Sequence, residues 1–479
     1  MWVKQRILRL MLVCLIVPVF GRAETTVQKP NILVILTDQQ SAKMMSCAGN
    51  SFVWTPNIDQ LSAEGIRFTR AYATNPVCVP SRFSLMTSRM PSDIGMEGNG
   101  HQKNHVSESI LNSSIGSLFS NAGYETVYSG KMHLTGADSE NGYENPLAYG
   151  FHKYITPNDK EGRESSVEAC VDFLKNKGEK PFLLVASLIN PHDICYLPLL
   201  DWAKAENKKN PYPNEKANRL ISELLKLQEG MSKNDFVEKY CPPLPDNFAI
   251  PNGELPSFTS NHTSSYIGWA RRNYSESDWR IYRFLYARLT EIVDRQIGQL
   301  LDALKKSGLE ENTLVVFTSD HGDQDASHRL GLKTFLYEES ANIPLVLKYP
   351  GKIRKGVLNA ENLVSNGLDL LPTLCDYAEI ETPHGLKGKS LKSLAAEYAS
   401  SGWRKSLVVE TGNARLLVME NQMKYMIETC DDDKQNCRHE MLFDLKSDPG
   451  EVKNLASVKI YEKLLREGRK QLQAWYAIK

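Results

Sequence analysis

The fold is decided by the stretch Asn31-Ile32-Leu33-Val34-Ile35-Leu36-Thr37-Asp38-Gln39 of this 479-residue chain. Its apolar run, residues 32–36, follows Pro30-Asn31 and ends in polar residues, a pattern typical of a strand that is buried on both faces. Such strands occur in parallel sheets that helices cover on both sides. The stretch therefore predicts a central strand of an α/β sheet, with chemistry at its carboxyl end.

Other segments repeat this order of apolar strand and polar end. Leu314-Val315-Val316-Phe317 precedes Thr318-Ser319-Asp320-His321, and Thr126-Val127-Tyr128 precedes Gly130-Lys131. Residues 181–188 form a further candidate strand, whereas residues 286–306 and 369–374 have the pattern of helices. The alternation predicts a large mixed, mostly parallel sheet sandwiched by helices.

The alternation stops in two places. Residues 201–256 are rich in Lys, Asn and Pro and lack a buried strand, so we expect surface loops and short helices that shape a pocket. Beyond residue 400, three short strand-like runs and a helix over 460–476 predict a smaller antiparallel sheet plus helix. The predicted domains are a signal peptide (1–23), a catalytic α/β domain (24–399) and a C-terminal α+β subdomain (400–479).

The N-terminus has the pattern of a cleaved signal peptide. Lys4, Arg6 and Arg9 precede the apolar run 10–20. The following Gly21-Arg22-Ala23 has small residues at the spacing of a signal-peptide cleavage site. No second apolar stretch of about 20 residues follows, so we expect no transmembrane anchor. The prediction is a secreted or periplasmic protein, or a lysosomal or ER-luminal one if the source is eukaryotic. The sequons at Asn112, Asn261 and Asn273 matter only in that last case.

Charge and cysteine content exclude some classes of protein. Lys plus Arg and Asp plus Glu both number 57, so no global charge favours nucleic acid or an anionic membrane. The nine cysteines are too sparse for a disulfide framework. Cys430 and Cys437 could form one local disulfide, and at least one buried free thiol should remain.

The strongest local motif is Cys78-Val79-Pro80-Ser81-Arg82, which continues to Arg89. Taken alone, Cys78 is either a thiol whose pKa Arg82 lowers or a plain loop cysteine. The motif closely resembles the signature of formylglycine-dependent (type I) sulfatases of the alkaline phosphatase superfamily. The resemblance implies an alkaline-phosphatase-like fold and a maturing enzyme that oxidises Cys78 to formylglycine, whose hydrate attacks sulfur. Arg82 would help to hold the formylglycine residue in place.

Two polar pairs resemble the metal ligands of that family. They are Asp38-Gln39 and Asp320-His321, which together with residue 78 would hold one divalent cation. The mainly oxygen set suits Ca²⁺ best, with Mg²⁺ and Mn²⁺ as alternatives. For an isolated pair, helix capping would be the simpler interpretation.

Three further segments complete the resemblance. In Gly130-Lys131-Met132-His133, Lys131 would neutralise sulfate and His133 would act as base. His192, in Asn190-Pro191-His192-Asp193, and Lys333 would supply charge or a proton to the leaving group. Each of these side chains alone is more simply interpreted as solvated or packed in the core; their order along the chain favours the site.

The sequence thus predicts an exported sulfatase that acts on a sulfated carbohydrate. The main alternative is a phosphonate monoester or phosphodiester hydrolase of the same superfamily, and another is an inactive glycan-binding relative. A cluster of aromatic and basic residues would contact the sugar or, alternatively, pack a helix: Trp269, Arg271, Arg272, Tyr274, Trp279 and Arg280.

Overall fold

The computed structural model describes residues 28–101, 105–134, 145–156, 163–260, 266–396, 402–429 and 438–477. The predicted signal peptide, Asn261 and the Cys430–Cys437 pair lie outside these ranges. The strands in the described part of the chain are β1 (Asn31–Asp38), β2 (Ile66–Phe68), β3 (Ala71–Tyr72), β4 (Glu125–Gly130), β5 (Lys153–Tyr154), β6 (Phe182–Pro191), β7 (Thr313–Ser319), β8 (Leu345–Lys348), β9 (Val357–Asn359), β10 (Val364–Ser365), β11 (Ser406–Thr411), β12 (Ala414–Met419), β13 (Met423–Thr429) and β14 (Arg438–Asp444).

The α-helices in the same ranges are α1 (Pro56–Ala63), α2 (Cys78–Thr87), α3 (Glu108–Asn112), α4 (Ile115–Asn121), α5 (Glu164–Lys175), α6 (Tyr196–Ala205), α7 (Glu215–Leu225), α8 (Lys233–Tyr240), α9 (Pro256–Ser260), α10 (Tyr266–Asn273), α11 (Glu276–Lys306), α12 (Glu338–Ala341), α13 (Asn366–Ala378), α14 (Lys392–Ala396) and α15 (Glu462–Ala477). None of them combines the length and apolar character needed to cross a bilayer.

The main sheet has eight strands in the order β5-β4-β6-β1-β7-β8-β2-β9. Strand β1 lies at its centre, parallel to β6 on one side and to β7 on the other. Only β8 runs antiparallel to its neighbours, β7 and β2. The predicted fold, a large and mostly parallel sheet between helices, is confirmed.

Side-chain alternation along β1 explains the two covered faces. Ile32 and Val34 lie in one core with Val79 of α2, whereas Leu33 lies in a second core with Val293 of α11. Successive residues of a strand point to opposite faces, so an unbroken apolar run can serve both cores. Helices α2 and α13 therefore cover one face, and α5 and α11 cover the other.

The C-terminal part forms a four-stranded antiparallel sheet, β11-β12-β13-β14, followed by α15. Its apolar residues share one core with residues of the first part, such as Phe335 and Tyr337. The sheet begins at Ser406, and a domain boundary near residue 400 stays our prediction. Residues 201–256 form short helices and loops as expected, with α7 and α8 in the middle of the segment.

Candidate active site

The predicted site residues meet at the carboxyl edge of the main sheet. Asp38 ends β1, and Lys131, His192 and Asp320 directly follow β4, β6 and β7. These four strands are neighbours in the sheet, so their ends lie side by side. A parallel sheet thus collects side chains that are far apart in sequence.

Cys78 lies at the centre of this group, as the first residue of α2, and is fully buried. Its Sγ is 2.8 Å from Lys333 Nζ, 3.2 Å from His321 Nε2 and 3.9 Å from Lys131 Nζ. His133 and His192 each form a side-chain hydrogen bond with it. The structure therefore brings the predicted side chains of Lys131, His133, His192 and Lys333 around one sulfur atom.

Arg82 follows Cys78 by four residues, which puts both side chains on the same face of α2. Its Nε donates to Asp320 Oδ2 at 2.8 Å, and Nη2 donates to Asp38 Oδ2 at 2.9 Å. Nη1 donates to the Lys131 carbonyl oxygen at 2.6 Å. The buried guanidinium fixes both carboxylates and the backbone of the Lys131 segment.

Asp38, Cys78, Asp320 and His321 form a group that fits a metal ion. One potential ligand atom from each residue lies within 4.8 Å of the other three, and all four residues are buried. Gln39, the fifth predicted ligand, donates through its backbone N–H to Asp320 Oδ1 at 3.1 Å. Its side-chain amide contacts Asp323 at 2.6 Å and Cys195 at 3.1 Å.

The charges of the site act on one another strongly. Burial alone would raise the pKa of the Cys78 thiol, but Lys131, Lys333 and His321 lower it well below its usual range. Burial and the Cys78 thiolate oppose ionisation of Asp38, yet Lys131 and the other cations keep its pKa below the usual value. The site thus favours anions at its centre.

Two of the three histidines beside Cys78, His133 and His192, stay neutral for a common reason. Burial, followed by Lys333 and Lys131, lowers the pKa of His192 to about 3. Burial and Lys131 also lower the pKa of His133. In the substrate-free site, both imidazoles are therefore proton acceptors rather than donors at neutral pH.

The sequence did not predict the role of Asp323. This buried carboxylate accepts hydrogen bonds from the Gln39 amide at 2.6 Å, the Tyr282 hydroxyl at 2.8 Å and the Leu332 backbone N–H at 3.1 Å. Leu332 and Thr334 have φ values of 69° and 86°, so Lys333 is presented from a strained turn. Asp323 holds this turn and Gln39 in place together. Its position three residues after Asp320 was the only available sequence signal.

Three residues of the aromatic and basic cluster have structural contacts. Trp279 is 1% exposed, and Arg271 pairs with Glu254 at 2.9 Å. Arg280 donates to backbone carbonyls of residues 237, 241 and 242. Burial and these structural contacts favour the packing alternative for Arg271, Trp279 and Arg280.

Residues 30–380 match the family model described as Sulfatase. The chain belongs to the sulfatase family. Residues 326–477 also match a model described as N-sulphoglucosamine sulphohydrolase, C-terminal. This sulfatase is accordingly a sulfuric ester hydrolase of the alkaline phosphatase superfamily.

Two sulfatases resemble the chain over nearly its whole length. It is 30% identical to a Δ4,5-hexuronate-2-O-sulfatase of Bacteroides thetaiotaomicron, over 94% of this chain and 89% of the relative. A solved structure described as a 2-O GAG sulfatase is 28% identical with a TM-score of 0.75, over 94% of this chain and 92% of that one.

The fold extends to enzymes of different chemistry. The phosphonate monoester hydrolase of Agrobacterium radiobacter has a TM-score of 0.70 at 19% identity, over 94% of this sulfatase and 96% of that chain. At this identity, the likeness concerns the fold alone.

Proposed function

We propose that the protein is an exported sulfatase that hydrolyses a sulfate ester on a carbohydrate, with residue 78 as nucleophile after conversion to formylglycine. The observation that carries the proposal is the convergence of Lys131, His133, His192 and Lys333 on Cys78 Sγ. A maturing enzyme would oxidise the cysteine. The converted residue would supply a nucleophilic oxygen that accepts the sulfuryl group from the ester.

Asp38, Asp320, His321, residue 78 and Gln39 would hold one divalent cation, for which we propose Ca²⁺. After conversion, an oxygen replaces sulfur at residue 78, and oxygen ligands then predominate, as calcium prefers. The bound ion would lower the energy of negative charge at the nucleophile. Arg82 keeps the two carboxylates in place through hydrogen bonds of 2.8 and 2.9 Å.

The surrounding cations fit a sulfate group. Lys131 Nζ lies 2.6 Å from Asp38 Oδ2 and 3.9 Å from Cys78 Sγ, between the metal-ligand carboxylates and the nucleophile. From there, its ammonium would neutralise charge on the sulfate oxygens. Lys333 would do the same from the opposite side of residue 78.

Proton transfers need one acid and one base. The alcohol leaves with a proton from Lys333 or from His192, and we favour Lys333 because it is protonated in the substrate-free site, whereas burial keeps His192 neutral. His133, which is hydrogen-bonded to Cys78, would remove a proton from residue 78 as sulfate departs. The overall reaction consumes one water and yields alcohol, sulfate and a proton.

The proposed substrate class rests on the relatives. The hexuronate and GAG sulfatases named above act on sulfated sugars, and these proteins resemble the chain along more than nine-tenths of its length. The signal-peptide pattern would bring the enzyme to such polymers outside the cytoplasm.

The test combines mass spectrometry with two assays. The chain is produced together with a formylglycine-generating enzyme, and the peptide that contains residue 78 is analysed for the aldehyde. Sulfate release is then measured with sulfated disaccharides, and phosphonate release with a phosphonate monoester. Aldehyde together with sulfate release supports the proposal. Faster turnover of the phosphonate ester, or full activity with an unmodified thiol, would contradict it.

A further inference from the structure

The metal-ligand group has a different chemical character before Cys78 is converted. In the chain as translated, its four donors are one sulfur, one imidazole nitrogen and two carboxylates, from Cys78, His321, Asp38 and Asp320. Sulfur and imidazole are soft or borderline ligands that select zinc, whereas calcium takes six to eight oxygen ligands. Conversion of one residue therefore changes the class of the site.

Four of the six distances between the donors suit a small four-coordinate ion, and all six lie within 4.8 Å. Cys78 Sγ lies 3.2 Å from His321 Nε2 and 3.8 Å from Asp38 Oδ1. His321 Nε2 lies 3.9 Å from Asp38 Oδ1 and 3.6 Å from Asp320 Oδ1. A tetrahedral zinc site with ordinary bond lengths has ligand-to-ligand distances of about 3.4 to 3.6 Å. The four contacts lie close to this range, so small movements would close the site.

The imidazole is already oriented for metal binding. His321 Nδ1 lies 2.9 Å from the Gly322 carbonyl oxygen, which leaves Nε2 to face Cys78 and the carboxylates. A backbone carbonyl that fixes the far nitrogen of a histidine is a common support for zinc ligands. Arg82 holds the Oδ2 atoms of Asp38 and Asp320. Asp38 Oδ1 faces Cys78, and Asp320 Oδ1 is fixed by the backbone N–H groups of Gln39 and His321.

We propose that Asp38, Cys78, Asp320 and His321 form a zinc site in the unconverted chain, and that conversion of Cys78 to formylglycine changes the preference of this site from zinc to calcium. Zinc binding forms a zinc–sulfur bond with the thiolate of Cys78, with no change in oxidation state. A molecule that escapes maturation would then be an inactive zinc protein. The calcium preference of the converted chain rests on the proposed function, whereas the zinc site of the unconverted chain does not.

The experiment uses the full chain produced without the maturing enzyme, with Co²⁺ as a spectroscopic probe for zinc. We expect one Co²⁺ per chain with a sulfur-to-cobalt charge-transfer band, displaced by Zn²⁺ but not by excess Ca²⁺. Cys78→Ser should abolish the band and weaken Zn²⁺ binding by about 100-fold or more. Loss of a residue that only supports a metal ligand already weakens binding by up to about 100-fold. Cys47→Ser, which changes a half-buried cysteine outside the group, should alter neither.

Absence of the band, tighter binding of Ca²⁺ than Zn²⁺, or Zn²⁺ binding that survives Cys78→Ser would overturn the zinc site. If Cys78→Ser does not fold, zinc X-ray absorption of the unsubstituted chain replaces it and should show a sulfur neighbour at about 2.3 Å. The converted chain should lose the band and bind Ca²⁺ more tightly than Zn²⁺. Its sulfate release is measured separately, so failure of the sulfatase proposal and failure of the zinc proposal are distinguishable.

Discussion

Lys333 Nζ lies 2.8 Å from Cys78 Sγ, although 255 positions separate the two residues in the sequence. The turn that carries Lys333 is held from both sides, because the Leu332 N–H donates to Asp323 and the Thr334 N–H donates to the Pro76 carbonyl oxygen. An ammonium fixed this close to the nucleophile can act on charge that develops during the reaction.

Lys333→Met should impair poor leaving groups selectively. A sugar alkoxide needs a proton as it departs, so kcat for a sugar sulfate should fall by about 10²–10⁴-fold. An aryl sulfate, whose phenolate leaves without help, should lose much less. Steady-state kinetics with both substrates check this, and Lys306→Met, at an exposed site, is the control. If His192→Gln shows the selective loss and Lys333→Met does not, His192 is the acid.

The acid side of the pH profile should report His133. Because burial and Lys131 lower its pKa below 6.5, the imidazole remains a base as the pH falls through 6.5. We expect kcat to decline only at lower pH, where His133 becomes protonated. His133→Gln should lower kcat by about 10²-fold and remove that decline. A decline in the unsubstituted enzyme with its midpoint above 6.5 would contradict the assignment.

Arg82→Ala should destabilise the metal-free chain by about 3–5 kcal/mol, because it leaves the buried Asp320 carboxylate without its arginine partner and leaves Asp38 paired with Lys131. Chemical denaturation in the presence of a chelator measures the free energy of unfolding. Arg466→Ala removes an exposed arginine from a surface pair with Glu462 and should change it by less than about 0.5 kcal/mol. Equal effects of the two substitutions would be inconsistent with the buried network.

Asp323→Asn should weaken metal binding without unfolding the chain. Gln39 and Leu332 both donate to Oδ2 of Asp323, and the Asp325 N–H donates to Oδ1, so in either orientation the NH₂ of an asparagine faces at least one N–H donor. We expect about 10–100-fold weaker metal affinity and a lower kcat, with KM nearly unchanged. Calorimetric metal titration and the kcat-to-KM comparison check this. A fall in melting temperature with normal metal affinity would indicate a purely structural role.

Gly322→Ala should destabilise the loop after Asp320, because the structure has no room for a side chain at this position. A Cβ at this position would lie 1.9 Å from the Glu339 carbonyl oxygen, so the backbone must shift. Overpacking of this kind costs about 1–3 kcal/mol. Gly178→Ala is the matched control, since nothing lies within 4 Å of its added Cβ. Thermal unfolding of both variants decides, and similar melting temperatures would contradict the steric argument.

Sequence patterns predicted the strands that are buried on both faces, because an unbroken apolar run such as residues 32–36 is a strong signal. The short strands β2, β3, β5, β9 and β10 were not predicted, since two or three residues carry no periodicity. The short strand β8 was not predicted either. Its antiparallel direction depends on how distant segments pair, which a local sequence pattern does not show.

The catalytic and metal residues were predicted from a motif resemblance, and the structure shows them to be neighbours. Tyr282 and Asp323 were not predicted, because a tyrosine in the middle of a long helix resembles any core residue. The two alternatives left open for Arg271 and Trp279 have the same origin. Whether an aromatic or basic side chain faces a pocket or a packed helix depends on contacts that sequence spacing does not fix.

The arrangement of Arg82 between Asp38 and Asp320 has an evolutionary consequence. Any single replacement among the three removes at least one buried ion pair, so a lineage loses stability at each first substitution. Exposed residues outside such buried networks carry little penalty and can diverge one at a time. Members of such a lineage should therefore acquire new sugars and new sulfate positions while these three residues stay the same.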